Sequence, residues 1–269
     1  MIDTVAAANA EPRLQVKILP LYEDNYAWLL YHQNNAWIID PGQAEPVIAL
    51  LKELKVTLKG MLITHGHWDH VSGIDSLKQQ FDVPVYGTKS CHHGITHEVA
   101  EGDKHNLDGV MIDVWQTPGH MANHLSFYCA QQDWLFCGDT LFSAGCGRLK
   151  QTGDMQQLFQ SIQRFKALPQ STQVFCSHEY TQSNLSFAAA VEPNNPAIKD
   201  YQNKAATLRA QGKATIPSSI ATELACNPFL RLDQAEVIAT LSSRLNLSAQ
   251  ALNTPVTVFT ALREWKDVF

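Results

Sequence analysis

Residues 65–70 limit the possible folds more than any other stretch, because they hold three histidines and an aspartate within six positions. The apolar run GMLI, residues 60–63, comes directly before them. Such a run indicates a buried strand, and α/β sheets carry functional groups at the carboxyl ends of their strands. Imidazoles and carboxylates are the side chains that divalent metals bind. We therefore interpret His65, His67, Asp69 and His70 as metal ligands rather than as chance residues of a polar loop.

The composition describes a globular chain and excludes several classes of partner. Of the 269 residues, 45% are hydrophobic and 17% are charged, which is not typical of disorder. The net charge of −6 offers no general basic surface, so we expect no nucleic-acid partner. We also expect no membrane association, because no apolar run reaches the roughly 20 residues of a membrane span. The amino terminus lacks a secretory pattern and the six cysteines are scattered, which predicts reduced thiols in a cytoplasmic protein.

The apolar pattern divides the chain into three parts. Residues 1–14 show no periodicity and are predicted to be a flexible lead-in. Residues 15–180 alternate short strands with helices, including predicted helices over 44–55, 71–81 and 154–167. After residue 181 the strand pattern disappears and helical segments broken by prolines follow, which predicts a helical domain over 181–269.

Three more candidate ligands follow other predicted strands. His120, Asp139 and His178 each come after an apolar run and one or more small or turn residues. Together with the first cluster they make five histidines and two aspartates, which is too many for one tetrahedral ion. Two ions bridged by a carboxylate, with an open position for water, account for the number. The histidines of residues 91–106 lack such a pattern, and we expect them to be solvated loop residues.

The order of these residues resembles the metallo-β-lactamase superfamily. The sequence THGHWDH, a distant histidine, GDT at 138–140 and a final histidine carry the resemblance. Three further sequence motifs resemble one family of this superfamily, glyoxalase II (hydroxyacylglutathione hydrolase). They are DNY at 24–26, SHEYT at 177–181 and NPFLR at 227–231. The resemblance covers about residues 15–269. It implies an α+β fold, a four-layer αββα sandwich with a C-terminal helical domain.

The resemblance also implies a role for each site residue. One ion would be held by His65, His67 and His120, the other by Asp69, His70 and His178, and Asp139 would bridge them. Four residues stand where the family contacts glutathione: Arg148, Tyr180, Arg263 and Lys266. We expect zinc, with iron and manganese as alternatives, because imidazole and carboxylate accept all three metals.

The implied reaction is hydrolysis of S-D-lactoylglutathione to glutathione and D-lactate, a step of methylglyoxal detoxification, by a monomer. Two close cations lower the pKa of a bridging water, so the expected nucleophile is a hydroxide between the ions that Asp69 and Asp139 hold. A nucleophile of this kind needs no protein thiol, and we interpret Cys137 and Cys146 as packing residues.

Three alternatives stay open on the sequence alone. Another hydrolase of this fold would share the metal ligands but not the C-terminal segments. A persulfide dioxygenase would use a single iron, and a metal-binding protein without catalysis would need a closed coordination sphere. Met121, Asn123 and Lys150 depart from the family pattern, and Lys150 replaces a residue that can contact glutathione.

Overall fold

The computed structural model describes residues 13–246, 248 and 250–269. Its strands are β1 (Gln15–Leu21), β2 (Asn25–His32), β3 (Asn35–Ile39), β4 (Thr57–Leu62), β5 (Val85–Gly87), β6 (His97–Glu98), β7 (Lys104–Leu107), β8 (Val110–Gln116), β9 (Leu125–Cys129), β10 (Trp134–Gly138), β11 (Leu141–Phe142), β12 (Gly145–Cys146), β13 (Gln173–Cys176) and β14 (Ser218–Ser219). Its helices are α1 (Ala44–Leu54), α2 (Trp68–Val71), α3 (Ile74–Gln80), α4 (Met155–Lys166), α5 (Thr181–Val191), α6 (Pro196–Ala210), α7 (Ile220–Cys226), α8 (Ala235–Leu245) and α9 (Pro255–Asp267).

Two six-stranded sheets pack face to face and form the centre of the molecule. The first has the order β1-β2-β3-β4-β5-β6 and the second has the order β14-β13-β10-β9-β8-β7. Successive residues of a strand point to opposite faces, so Trp28 and Leu30 of β2 join the core shared with Phe127 of the second sheet. Ala27 and Leu29 of the same strand pack on the other face with residues of α1 and α3.

Helices cover the outer faces of both sheets. The apolar side of α1, with Val47 and Leu51, lies on the first sheet. The apolar side of α4, with Leu158 and Ile162, joins the core of the second sheet. The predicted αββα sandwich with a C-terminal helical region is therefore confirmed.

Several elements differ from the sequence-based prediction. The helix expected over 71–81 is two helices, because the N–H of Gly73 donates to the carbonyl of Pro41 at 2.9 Å, and a Cβ at Gly73 would lie 2.4 Å from that oxygen. Strand β6 and most of β7 lie in the segment 91–106 that was expected to be a polar loop, so His97 and His105 are strand residues. The β11–β12 hairpin was not predicted, and β14 pairs with Gln173 and Val174 of β13.

The C-terminal region is helical apart from β14, which extends the second sheet. The division of the chain near residue 180 stays a prediction. Residues 1–12 of the predicted lead-in lie outside the described residues, whereas Leu14 is buried and its N–H donates to Gln132. Over the described part of the chain, no helix combines the length and apolar character that crossing a bilayer requires.

Candidate metal centre

Both sheets deliver candidate ligands to the same edge of the sandwich. His65 and His67 follow β4, and the short helix α2 carries Asp69 and His70. In the second sheet β8, β10 and β13 run parallel to one another, since β9 is antiparallel to its two neighbours and β13 is parallel to β10. Their carboxyl ends therefore meet at one edge, and His120, Asp139 and His178 follow them. The structure brings all seven predicted ligands together in two sets.

The first set contains three histidine nitrogens and one oxygen of Asp139. His67 Nδ1 lies 2.9 Å from His65 Nε2 and 3.1 Å from His120 Nε2. Asp139 Oδ2 lies 3.6 Å from His120 Nε2 and 3.9 Å from His65 Nε2. Ligands about 2.0–2.1 Å from a tetrahedral ion are about 3.3–3.4 Å from one another. The observed separations scatter around that value.

The second set has the same geometry and shares Asp139 with the first. His70 Nε2 lies 3.6 Å from Asp69 Oδ2 and 3.5 Å from Asp139 Oδ1. His178 Nε2 lies 3.5 Å from Asp69 Oδ2 and 3.4 Å from Asp139 Oδ1. His70 Nε2 and Asp139 Oδ1 are buried and have no hydrogen-bond partner within the described residues. Because one oxygen of Asp139 belongs to each set, these residues fit a pair of divalent ions with a bridging carboxylate.

In three ligand rings the nitrogen on the far side faces a carboxylate or carbonyl oxygen, and in His65 it lies 3.0 Å from the hydroxyl of Thr64. His70 Nδ1 lies 3.0 Å from Asp40 Oδ2, His178 Nδ1 lies 3.0 Å from Asp24 Oδ1, and His120 Nδ1 lies 2.7 Å from the carbonyl oxygen of Arg148. An acceptor at Nδ1 holds the proton there and leaves the Nε2 lone pair free for a metal. The outer partners therefore prepare all three rings to bind through Nε2.

Asp40 and Asp24 are functional residues that the sequence reasoning missed. Asp40 follows the apolar strand β3, in the same arrangement as the recognised ligands, and this signal could have revealed it. It also accepts hydrogen bonds from the N–H and the hydroxyl of Thr64. Asp24 belongs to the DNY motif, in which Asn25 donates to Asp69 Oδ2 at 2.6 Å.

Burial and neighbouring charges set the protonation states of the ligands. Burial lowers the pKa of His67 and His120, and it lowers the pKa of His65 well below its usual value. These rings are therefore neutral, which is the form that binds metal. For His178, burial favours the neutral ring, but the carboxylates of Asp139 and Asp24 outweigh it and raise the pKa to about 9. A strong negative field therefore exists at the second set, where a cation is favoured.

A cavity of about 400 Å³ opens beside the two sets. His120 and Asp139 form part of its wall, together with all four residues that were predicted to contact substrate and with Lys150. Burial raises the pKa of Tyr180, so its phenol keeps its proton at neutral pH. Arg263 is buried and donates to the carbonyl of Cys146 at 2.9 Å and to Asp267 at 3.0 Å. The lining of the cavity thus includes four cationic side chains, those of Arg148, Lys150, Arg263 and Lys266.

The cysteines near the centre are not prepared for nucleophilic attack. Burial raises the pKa of Cys146 to about 11 and raises that of Cys137 well above its usual value. A thiol must ionise before it acts as a nucleophile. All six cysteines lie among the described residues and are free.

A third group of ligand-type residues, Asp75, His92 and His93, lies on the surface. The N–H of Gly94 donates to His92 Nδ1 at 3.0 Å. A neutral ring that accepts at Nδ1 carries its proton on Nε2, the atom that faces Asp75. His92 is therefore in the wrong tautomer for binding a metal through Nε2.

Models of two protein families match consecutive parts of the chain. The model described as metallo-beta-lactamase superfamily matches residues 23–109 and 101–178, and the model described as hydroxyacylglutathione hydrolase C-terminus matches residues 179–269. A hydroxyacylglutathione hydrolase of Nitrosomonas europaea is 43% identical over 262 residues, which cover 94% of this chain and 97% of the relative. One of Aliivibrio salmonicida is 44% identical and covers 95% and 100%.

Solved structures with the same fold include two at 25% identity. The B3 metallo-beta-lactamase BLEG-1 has a TM-score of 0.63, with 80% of this chain and 99% of that chain covered. ETHE1 from Myxococcus xanthus has a TM-score of 0.62, with coverage of 94% and 99%.

Proposed function

This chain belongs to the hydroxyacylglutathione hydrolase family of the metallo-β-lactamase superfamily, and from that premise we propose that it hydrolyses glutathione thioesters. The preferred substrate in this proposal is S-D-lactoylglutathione, which yields glutathione and D-lactate. The observation that supports it most directly is that the two oxygens of Asp139 face two different sets of ligands beside a cavity with a cationic lining.

The metal centre in this proposal contains two ions, zinc first, with iron or manganese as alternatives. His65, His67 and His120 would hold one ion, Asp69, His70 and His178 would hold the other, and Asp139 would contribute one oxygen to each. Bound there, divalent ions would lower the pKa of water and polarise a carbonyl oxygen. The bridging geometry favours a binuclear hydrolase over an enzyme that uses a single iron.

The protein's own side chains bind and orient the thioester. Arg148 and Lys266 supply positive charge for the carboxylates of glutathione, and Lys150 adds a third cation to the lining of the cavity. Tyr180, whose ring stacks on His178 at 4.8 Å, keeps its phenolic proton and can donate it to the substrate. Arg263, which donates to the carbonyl of Cys146 and to Asp267, also lines the cavity and contributes positive charge.

The proposal also includes the cellular compartment, the partners and the oligomeric state of the protein. Free thiols at all six cysteines are compatible with a cytoplasmic protein. The acidic net charge gives no reason to invoke nucleic acid. We propose a monomer that consumes the thioester formed during methylglyoxal detoxification.

The test is to purify the chain, count the bound metal and follow loss of thioester absorbance with S-D-lactoylglutathione. A cephalosporin and a phosphodiester serve as parallel substrates under the same conditions. We expect two ions per chain and turnover of the thioester alone. No thioester hydrolysis together with turnover of either other substrate would overturn the proposal.

A further inference from the structure

One buried histidine beside the candidate ligands, His124, belongs to neither ligand set. We propose that His124 is a positioning residue, whose Nε2 accepts the backbone N–H of Asp139 and thereby fixes the carboxylate between the two ions. This inference rests on the metal centre of the proposed function. It assigns a role to the second histidine of the sequence HMANH, residues 120–124.

His124 is fully buried directly behind the metal ligands. Its Nε2 lies 3.1 Å from the backbone nitrogen of Asp139. Its ring stacks on the ring of His65 with centroids 4.9 Å apart and planes 27° apart. The residue therefore contacts one ligand through its ring face and another through a hydrogen bond.

The hydrogen bonds determine which nitrogen of His124 carries the proton. The backbone N–H of Asp139 can only donate, so Nε2 of His124 carries no proton and the ring is neutral. Because Nε2 accepts from the Asp139 amide, the proton is on Nδ1, which lies 3.0 Å from Thr117 Oγ1 and 3.1 Å from Thr140 Oγ1. Thr140 Oγ1 donates to the carbonyl of Thr117, so it has a lone pair available for Nδ1–H. Both nitrogens of the ring are thus satisfied without a metal.

The backbone before Asp139 is shaped to lie against this ring. Gly138 has a φ of 50°, in the left-handed region that glycine adopts without a steric penalty. A Cβ at Gly138 would lie 2.6 Å from His124 Nε2 and 2.7 Å from Thr64 Oγ1. The glycine therefore allows the peptide to approach closely enough for the Asp139 N–H to reach the ring.

A simple packing role would make a different prediction. A leucine could fill the volume of the ring but would leave the buried N–H of Asp139 without an acceptor. A glutamine can place its side-chain oxygen near the position of Nε2, whereas an asparagine is one methylene too short. If packing alone matters, the leucine variant retains the metal centre; if the acceptor matters, only the glutamine variant does.

The experiment compares H124Q, H124N and H124L with the wild type. Metal affinity is measured by competition with a chromophoric chelator, and the urea unfolding of the metal-free proteins is recorded in parallel. We expect H124Q to bind both ions within a few-fold of the wild type. H124N and H124L should bind them about 10–100-fold more weakly, as for other partners of metal ligands. H124N and H124Q carry the same amide group, and the unfolding curves of the metal-free proteins report the effect of their one-methylene difference in volume, so the comparison does not depend on H124L folding.

His105 provides the matched control. It lies on the edge strand β7, where its ring packs against Tyr86 at 4.4 Å, and it contacts none of the ligands. H105Q and H105N should leave metal affinity unchanged. Equal metal affinity of H124N and H124Q would overturn the inference. A wild type that binds two ions but does not hydrolyse the thioester would overturn the proposed function instead, while the ratio between the variants would still test His124.

Discussion

Replacing Asp40 with asparagine tests how the second ion site depends on a residue that is not a ligand. The Asp40 side chain is buried and accepts three hydrogen bonds. Its Oδ1 accepts from the N–H of Thr64 at 2.8 Å, and its Oδ2 faces the hydroxyl of Thr64 at 2.6 Å and His70 Nδ1 at 3.0 Å. The substitution keeps the size of the side chain and removes one acceptor.

An asparagine cannot satisfy all of these donors. If its NH₂ faces the N–H of Thr64, a buried donor loses its partner, which costs about 1–3 kcal/mol of unfolding free energy. If its NH₂ faces His70, the ring accepts at Nδ1 and carries its proton on Nε2, where it can no longer bind metal. We expect D40N to bind the second ion about 10–100-fold more weakly. At 1.36 kcal/mol for each factor of ten, this is about 1.4–2.7 kcal/mol of binding free energy.

The measurement is a chelator competition that resolves two ions, together with metal counts on the purified variant. Asp24 supplies a graded control, because it partners His178 in the same way but is 43% exposed, so water can replace it. D24N should therefore lose less than about tenfold in affinity. If D40N retained both ions with wild-type affinity, or lost less affinity than D24N, this account of ring orientation would be wrong.

Three other predictions concern the bridge, the cavity and the C-terminal region. D139A should lose nearly all activity and bind fewer than two ions, because one carboxylate serves both sets; activity close to that of the wild type would contradict the bridge. K266A should mainly raise KM for the thioester, and an unchanged KM would count against its role in binding glutathione. Burial raises the pKa of Glu223 to about 7 from the ordinary 4.5. Between these values the folded protein holds a proton that the unfolded chain has lost, so the unfolding free energy falls as pH rises, by roughly 3 kcal/mol in total. E223Q should remove this slope in urea unfolding across pH 4.5–7, and identical pH profiles would contradict it.

Most of the fold could be predicted from the sequence where a local pattern exists. Most strands of the two sheets appeared as short apolar runs, whereas β6, β7 and β14 did not, and α1 and α4 appeared through their periodicity. The ligands could be found because each follows a strand end, and parallel strands bring those ends together. The family resemblance supplied the layer order and the division of ligands between two ions.

The elements that could not be predicted depend on contacts between distant parts of the chain. Strand β14 is two serines, which carry no strand pattern and pair with β13 across more than 40 positions. The break between α2 and α3 follows from the contact of Gly73 with Pro41. Asp40 and Asp24 gain their roles only when folding brings them to the far side of a histidine ring.

The composition of the two ligand sets has a mechanical consequence. Each ion would take ligands that follow β4 of the first sheet and ligands that follow strands of the second sheet, with Asp139 common to both. The bound ions would therefore act as crosslinks between the two sheets at one edge of the sandwich. A metal ion that binds only the native state raises the free energy of unfolding. Here the added stability would oppose separation of the two sheets. Removing the metal should therefore weaken the contact between the two sheets at this edge, and it should also abolish catalysis.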